Sequence, residues 1–280
     1  MSEVAPSTAS AAAQTYYDSS DADQFYFHVW GGEDIHVGIY ASEDESIREA
    51  SRRTVEQMIE LLGPVSANTR VLDLGAGYGG AARRLSRQFG CAVTCLNLSQ
   101  TQNARNREFS ATGGLGDKIE VVHGNFEALP FADRSFDVAW SQDAFLHSGR
   151  RQQVIDEVAR VLAPGGRLVF TDPMQDPRAP ASILAPILAR IHLDDLASFE
   201  FYRGAGERAG LEVVTIEELS DQLPHHYDRV RAELEAHRGQ IEALASKAYV
   251  ERMLEGLQHW VRAGRAGHLA WGIMLMRKPD

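Results

Sequence analysis

The chain has 280 residues, 44% of them hydrophobic and 24% charged, which is the balance of a folded globular protein and excludes a disordered or collagen-like one. Its 28 basic and 39 acidic side chains leave a formal net charge of −11 with no basic stripe, which argues against nucleic acid as a partner. Cys91 and Cys95 are too few for a disulfide framework or a four-ligand zinc site; they read as core residues of a cytoplasmic protein without a metal.

In chain order, residues 1–13 are rich in alanine and serine, lack the features of an export signal and predict a mobile tail. No apolar run reaches the roughly 18 residues that a membrane span requires. An aromatic segment follows, with Tyr16, Tyr17, Phe25, Tyr26, Phe27 and Trp30 at a spacing that also suits simple packing on an amphipathic helix. Ile47, Ala50, Val55, Met58, Ile59 and Leu62 repeat at helical period from Ser46 to a stop at Gly63-Pro64.

Residues 70–74 predict the first strand, 79–89 a helix, 92–96 a second strand, and Ser99 the N-cap of a helix ending near Thr112. Strands at 118–123, 136–141 and 166–171 follow, with a helix at 152–162 before the last of them. This alternation predicts an α/β fold, a mostly parallel sheet with helices on both faces, because parallel neighbours need crossover connections. Beyond Asp172 the pattern predicts helices at 181–191 and 199–209, a strand at 211–216, one long helical stretch over 224–263 and a closing strand at 269–276.

Gly75-Ala76-Gly77-Tyr78-Gly79-Gly80 joins the first strand to its helix, so bare backbone and helix amides face a ligand there. Gly75, Gly77 and Gly80 satisfy the dinucleotide spacing, while Gly75, Gly77 and Gly79 give the tighter spacing of S-adenosylmethionine sites. Asp73, two residues earlier, suits a cationic amino group and repels a pyrophosphate. It is also a residue type that caps turns. Asn97 ends the second strand where a nucleotide enzyme usually offers an acid to ribose hydroxyls, and Gln102 lies one turn into the next helix. Asn125 and Phe126 supply an amide and a ring for a base. The fourth strand ends in Gln142 and Asp143, with His147 four residues on and on the same face of a helical turn.

The runs Val71-Leu72-Asp73-Leu74-Gly75-Ala76-Gly77-Tyr78-Gly79, Leu129-Pro130-Phe131, Ser135-Phe136-Asp137 and Leu162-Ala163-Pro164-Gly165-Gly166 resemble the class I S-adenosylmethionine-dependent methyltransferases. More narrowly, Trp30-Gly31-Gly32-Glu33-Asp34-Ile35-His36, Thr171-Asp172-Pro173-Met174-Gln175 and His259-Trp260-Val261 are similar to the sarcosine/dimethylglycine N-methyltransferase family, a likeness spanning about Tyr16 to Lys278. The resemblance implies a Rossmann-like seven-stranded sheet ending in an antiparallel hairpin, within a single domain over 14–280. It implies a helical cap from 14–45 and from insertions at 173–205 and 220–264, S-adenosylmethionine as cofactor, and synthesis of glycine betaine, an osmoprotectant. Tyr17, Tyr26, Asp143 and His147 also match the acceptor-site pattern of the similar phosphoethanolamine methyltransferases.

Methyl transfer to an amine needs in-line alignment and exclusion of water, and the attacking nitrogen must be neutral. Histidine titrates near neutrality, which makes His147 the candidate proton acceptor. Trp30, Tyr26 and Tyr202 offer aromatic faces to a methylated ammonium, and Arg178, Arg190 and Arg203, with His192, offer donors to a substrate carboxylate. The competing readings are a sugar or natural-product O-methyltransferase, a phosphoethanolamine-type N-methyltransferase, a nicotinamide dehydrogenase and a non-catalytic nucleotide-binding regulator.

Overall fold

A computed structural model describes residues 5–191 and 193–280, with Arg190 described by its backbone alone. The chain opens with α1 (Thr8–Tyr17) and α2 (Ser20–His28), each started by a serine N-cap whose hydroxyl accepts from the first turn. Of the mobile tail that composition predicts through Ala13, residues 1–4 lie outside the described residues, while the rest differs from the expectation: Ser7 caps α1, and Ser7 and Ser10 are buried on Glu127. Alanine is a strong helix former, and these polar anchors supply what a short helix lacks alone.

Helix α3 (Ile47–Leu62) leads into the sheet. There β1 (Arg70–Leu74), α4 (Gly80–Phe89), β2 (Ala92–Asn97), α5 (Gln100–Thr112), β3 (Ile119–His123), β4 (Phe136–Gln142), α6 (Arg151–Val161) and β5 (Leu162–Thr171) alternate as their apolar runs predict. A short two-residue strand β6 (Met174–Gln175) and α7 (Ala181–Ile191) come next. They are followed by α8 (Phe199–Arg208), β7 (Glu212–Glu218), α9 (Gln222–Ala236), α10 (Arg238–Ile241), α11 (Lys247–Arg265), β8 (Leu269–Ala270) and β9 (Gly272–Arg277). The seven-stranded sheet runs β3-β2-β1-β4-β5-β9-β7. The pairings from β3 to β5 are parallel, and β9 lies antiparallel between β5 and β7.

The stretch 224–263 is helical as expected, in the three pieces α9, α10 and α11, and α9 and α11 fold back on each other with Ser246 capping the last. A continuous helix of that length would run about 60 Å, longer than a domain of this size is wide. The closing strand is split at Trp271, which leaves β8 to pair with β6 in a separate small sheet.

Buried side chains form three clusters. Two cover the faces of the sheet, and Cys91 and Cys95 sit free and buried in one of them. The third joins α2, α7, α9 and α11 through Phe25, Trp30, Ile187, Tyr227, Val250 and Trp260 into a cap over the C-terminal strand ends. Helix α8 packs on the sheet instead, through Tyr202 and Ala205. Among the described residues no helix is long and apolar enough to cross a membrane.

Candidate active site

Strand β1 ends in a turn where Gly75, Gly77 and Gly79 have φ of 73°, 54° and 76°. This left-handed conformation is one that residues with a Cβ avoid. A Cβ on Gly75 would also overlap that of Ala144. Gly79 packs against Asn106 and Gly80 against Asp34, so close packing accounts for both glycines of the ambiguous spacing.

Above this turn lies a cleft of about 620 Å³. The turn, the ends of β2 and β4 and the loop after β3 form its floor, and Ser10 and Tyr17 of α1 line its roof. Asn97 and Gln102 meet in this cleft, the Asn97 amide nitrogen donating to Gln102 Oε1 at 2.9 Å. Their remaining groups, one carbonyl acceptor and one amide donor, can serve two neighbouring hydroxyls without a carboxylate. Phe126 lines the same cleft. Asn125 does not line it: its Oδ1 accepts from the Glu127 amide at 2.9 Å and its nitrogen faces the Glu127 carboxylate at 3.3 Å, an Asx turn that shapes the loop. Gln142 accepts from the Trp140 indole at 3.0 Å, and its buried amide nitrogen has no partner among the described residues.

A side pocket of about 330 Å³ continues from the glycine turn past Asp34, His36, Asp73 and Gln142. Burial raises the Asp73 pKa to about 7, opposed by His36 and Arg83 and reinforced by Asp34. A cation arriving beside Asp73 would hold it ionised. Asp143, at φ 49°, accepts from the Val37 amide at 2.6 Å and from the Trp271 indole at 2.8 Å. Burial raises its pKa too, against the pull of His36 and these donors.

The acceptor side is a chamber of about 440 Å³ beneath the cap. Tyr26, Trp30, Tyr227 and Trp260 supply aromatic walls, while Pro173 and Ile191 close it from the first insertion. Tyr227 stacks on Trp260 with centroids 4.7 Å apart, and the Trp30 ring stands edge-on to Tyr227 at 5.6 Å. Cleft and chamber share one wall, formed by Tyr17, Ile35, Asp143 and His147. On it the Tyr17 hydroxyl lies 3.1 Å from His147 Nε2.

His147 ends a one-turn 3-10 helix (Phe145–His147) after β4. That turn is fixed from below by Asp172, which accepts from the Leu146 amide at 3.0 Å and the Tyr202 hydroxyl at 2.6 Å. Burial lifts Asp172 to about 7. Tyr202, read from the sequence as a substrate-facing ring, is instead fully buried on the sheet face beside Phe170, because α8 turns that stripe toward the sheet. Arg178 is 89% exposed and paired with Asp176 at 2.8 Å, away from the chamber. Arg203 is exposed along the β7 edge. Arg190 precedes chamber residue Ile191, and His192 lies outside the described residues.

Several contributors carry no sequence assignment. Tyr227 and Trp260 are indistinguishable in sequence from the core stripes of their helices. Asp172, like Trp260, belongs to a run singled out for its resemblance, with no role assigned to it. Glu127 reads as a loop acid, yet it is fully buried and accepts from Ser7, Ser10 and Ser148 at 2.6–2.9 Å, tying α1 to the His147 turn. Asp34 and His36 belong to a run singled out for its resemblance alone.

Comparison with known proteins follows the same lines. Residues 72–170 match the model of a methyltransferase domain family. The chain is 52% identical over 95% of its length to a sarcosine/dimethylglycine N-methyltransferase from Aphanothece halophytica, covering 96% of that protein. It is 48% identical to one from Halorhodospira halochloris, over 95% of each. A solved structure of a sarcosine dimethylglycine methyltransferase candidate from Galdieria sulphuraria superimposes with a TM-score of 0.89 at 47% identity, over 95% of this chain and 99% of that one.

Proposed function

The chain belongs to the sarcosine/dimethylglycine N-methyltransferases, and from that premise we propose how its residues share the methylation of sarcosine and N,N-dimethylglycine. The donor of this family is S-adenosylmethionine rather than a nicotinamide dinucleotide. The residues present fit it: the glycine turn leaves room only for bare backbone, and the orphaned Gln142 amide and buried Asp73 carboxylate face the same space. Asn97 and Gln102 would hold the ribose, Phe126 the base, and Asp73 the ammonium. When bound, S-adenosylmethionine supplies a methyl group on a sulfonium, open to in-line displacement.

The chain's own residues prepare the other reactant. The Tyr17 hydroxyl takes the proton of the substrate ammonium while passing its own to His147 Nε2, leaving nitrogen with a lone pair. That lone pair is what an incoming methyl group would require. Tyr26, Trp30, Tyr227 and Trp260 exclude water and stabilise the methylated ammonium, at roughly 0.5–2 kcal/mol per aromatic face. Arg178 and Arg203 face away from the chamber, so we assign neither to the substrate carboxylate. Asp143, held by Val37 and Trp271, keeps the shared wall in place. The product of the second methylation is glycine betaine, and its accumulation as a cytoplasmic osmoprotectant is the role we propose.

The observation that carries this reading is the Tyr17–His147 pair on the wall common to cleft and aromatic chamber. Transfer from labelled S-adenosylmethionine to glycine, sarcosine, dimethylglycine and phosphoethanolamine tests it. Turnover of sarcosine and dimethylglycine is the expected result; turnover of neither would overturn the acceptor assignment.

A further inference from the structure

His36 is 4% exposed on the loop between α2 and α3 and lines both the side pocket and the acceptor chamber. Its Nδ1 lies 3.1 Å from the Val37 carbonyl, and a carbonyl only accepts, so Nδ1 carries a hydrogen. Its Nε2 is buried with no hydrogen-bond partner among the described residues. The nearest anion, Asp34 Oδ1, is 3.8 Å away, beyond bonding range. A lone pair on Nε2 would point at that carboxylate unprotected, whereas an N–H there is attracted by it. Asp34 thus favours a second hydrogen on the ring and, with it, a positive charge.

The side pocket explains what that charge is for. Its walls carry Glu33, Asp34 and Asp73, and His36 is the one lining residue that can be cationic. The Arg83 guanidinium nearby is occupied by Glu33 and the Tyr78 carbonyl. A zwitterionic amino-acid group entering beside the glycine turn finds a carboxylate for its ammonium in Asp73 but needs a donor for its own carboxylate. Nε2 of His36 is a buried nitrogen that makes no hydrogen bond among the described residues, its anionic neighbour Asp34 standing 3.8 Å away.

We propose that His36 clamps the carboxylate of the cofactor's amino-acid end, a charge-assisted hydrogen bond that completes the pocket begun by Asp73. This rests on the cofactor reading above and assigns His36 to positioning the donor rather than to the acceptor.

Calorimetry on the full chain tests it with three ligands: S-adenosylhomocysteine, its α-carboxamide and 5′-methylthioadenosine, which lacks the amino acid. The wild-type protein is expected to prefer the carboxylate over the carboxamide by roughly 10- to 100-fold, the worth of one buried hydrogen bond to a charged group. His36→Gln should reduce that preference to within about threefold, leaving methylthioadenosine binding within about twofold as the folding control. Equal preference in variant and wild type overturns the inference while leaving the cofactor reading intact. Failure of the wild type to bind any of the three overturns the cofactor reading and the inference with it.

Should His36→Gln not fold, the wild type decides alone. Asp34, Asp73 and Asp143 face the ring, with His226 across Trp30, and burial is outweighed so that His36 titrates above its ordinary 6.5. The preference for carboxylate over carboxamide should then fall as pH rises through that midpoint. A preference that does not fall at any pH above 6.5 up to the alkaline limit of the folded protein would overturn the proposal.

Discussion

The cleft and the chamber share a wall and little else. The cleft is backbone and short polar side chains at the ends of adjacent parallel strands, each set by one local turn: the glycines after β1, Asn97 after β2, Phe126 after β3, Gln142 at the end of β4. The chamber is aromatic, and its walls come from α2, the α2–α3 loop, α7, α9 and α11, segments spread over more than 200 residues of the chain. A site on a sheet inherits its geometry from hydrogen-bonded register, whereas a site under a cap depends on how separate helices pack. Substitutions in the first region should therefore change cofactor binding, and those in the second should change acceptor use.

The shared wall gives the largest expected effect. On the proposed role of its ring as acceptor of the substrate's proton, His147→Ala should lower kcat by roughly 100-fold or more while S-adenosylhomocysteine affinity stays within about threefold. Steady-state kinetics beside calorimetry checks the split, and a matching loss in both would mean that the wall belongs to the cleft. On the cleft side proper, Gly75→Val combines a Cβ against Ala144 with a φ of 73°, and about 30-fold weaker cofactor binding is expected. On the chamber side, Tyr227→Ala removes the ring stacked on Trp260 and should raise KM for dimethylglycine about tenfold with cofactor affinity unchanged. A change in cofactor affinity there would erase the distinction between the two regions.

The same contrast explains what the sequence discloses. The α/β alternation and most strand limits were legible because apolar runs and punctuating glycines are local signals. The gathering of Asp73, Gly75, Gly77, Asn97, Gln102, Phe126 and Gln142 about one end of the sheet was legible too, because each follows from a strand end. Asn125 sits at a strand end too, yet its side chain is taken up by the turn to Glu127, a choice between partners that spacing does not encode. Tyr202 failed for another reason: an aromatic on an amphipathic helix faces whichever surface the helix docks on, and α8 docks on the sheet. Tyr227 and Trp260 are the reverse case, core-like in sequence and lining a chamber in space.

The smallest expected effect concerns the latch between the two regions. Glu127, on the cleft side, accepts from Ser7 and Ser10 of the cap and from Ser148 beside His147. Burial alone would raise its pKa, but these donors outweigh it and hold the carboxyl at about 2 against an ordinary 4.5. Because the folded value is the lower one, the carboxylate's contribution is complete above about pH 4.5 and is lost as pH falls toward about 2. At pH 4 roughly 1 kcal/mol of it should be gone, a shift in the denaturant midpoint that Glu127→Gln should largely abolish. Hydrogen exchange should locate the acid-sensitive opening in α1 while the sheet amides stay protected. Opening of α1 and the sheet together would mean that cap and cleft form one cooperative unit, so that the latch joins nothing separable.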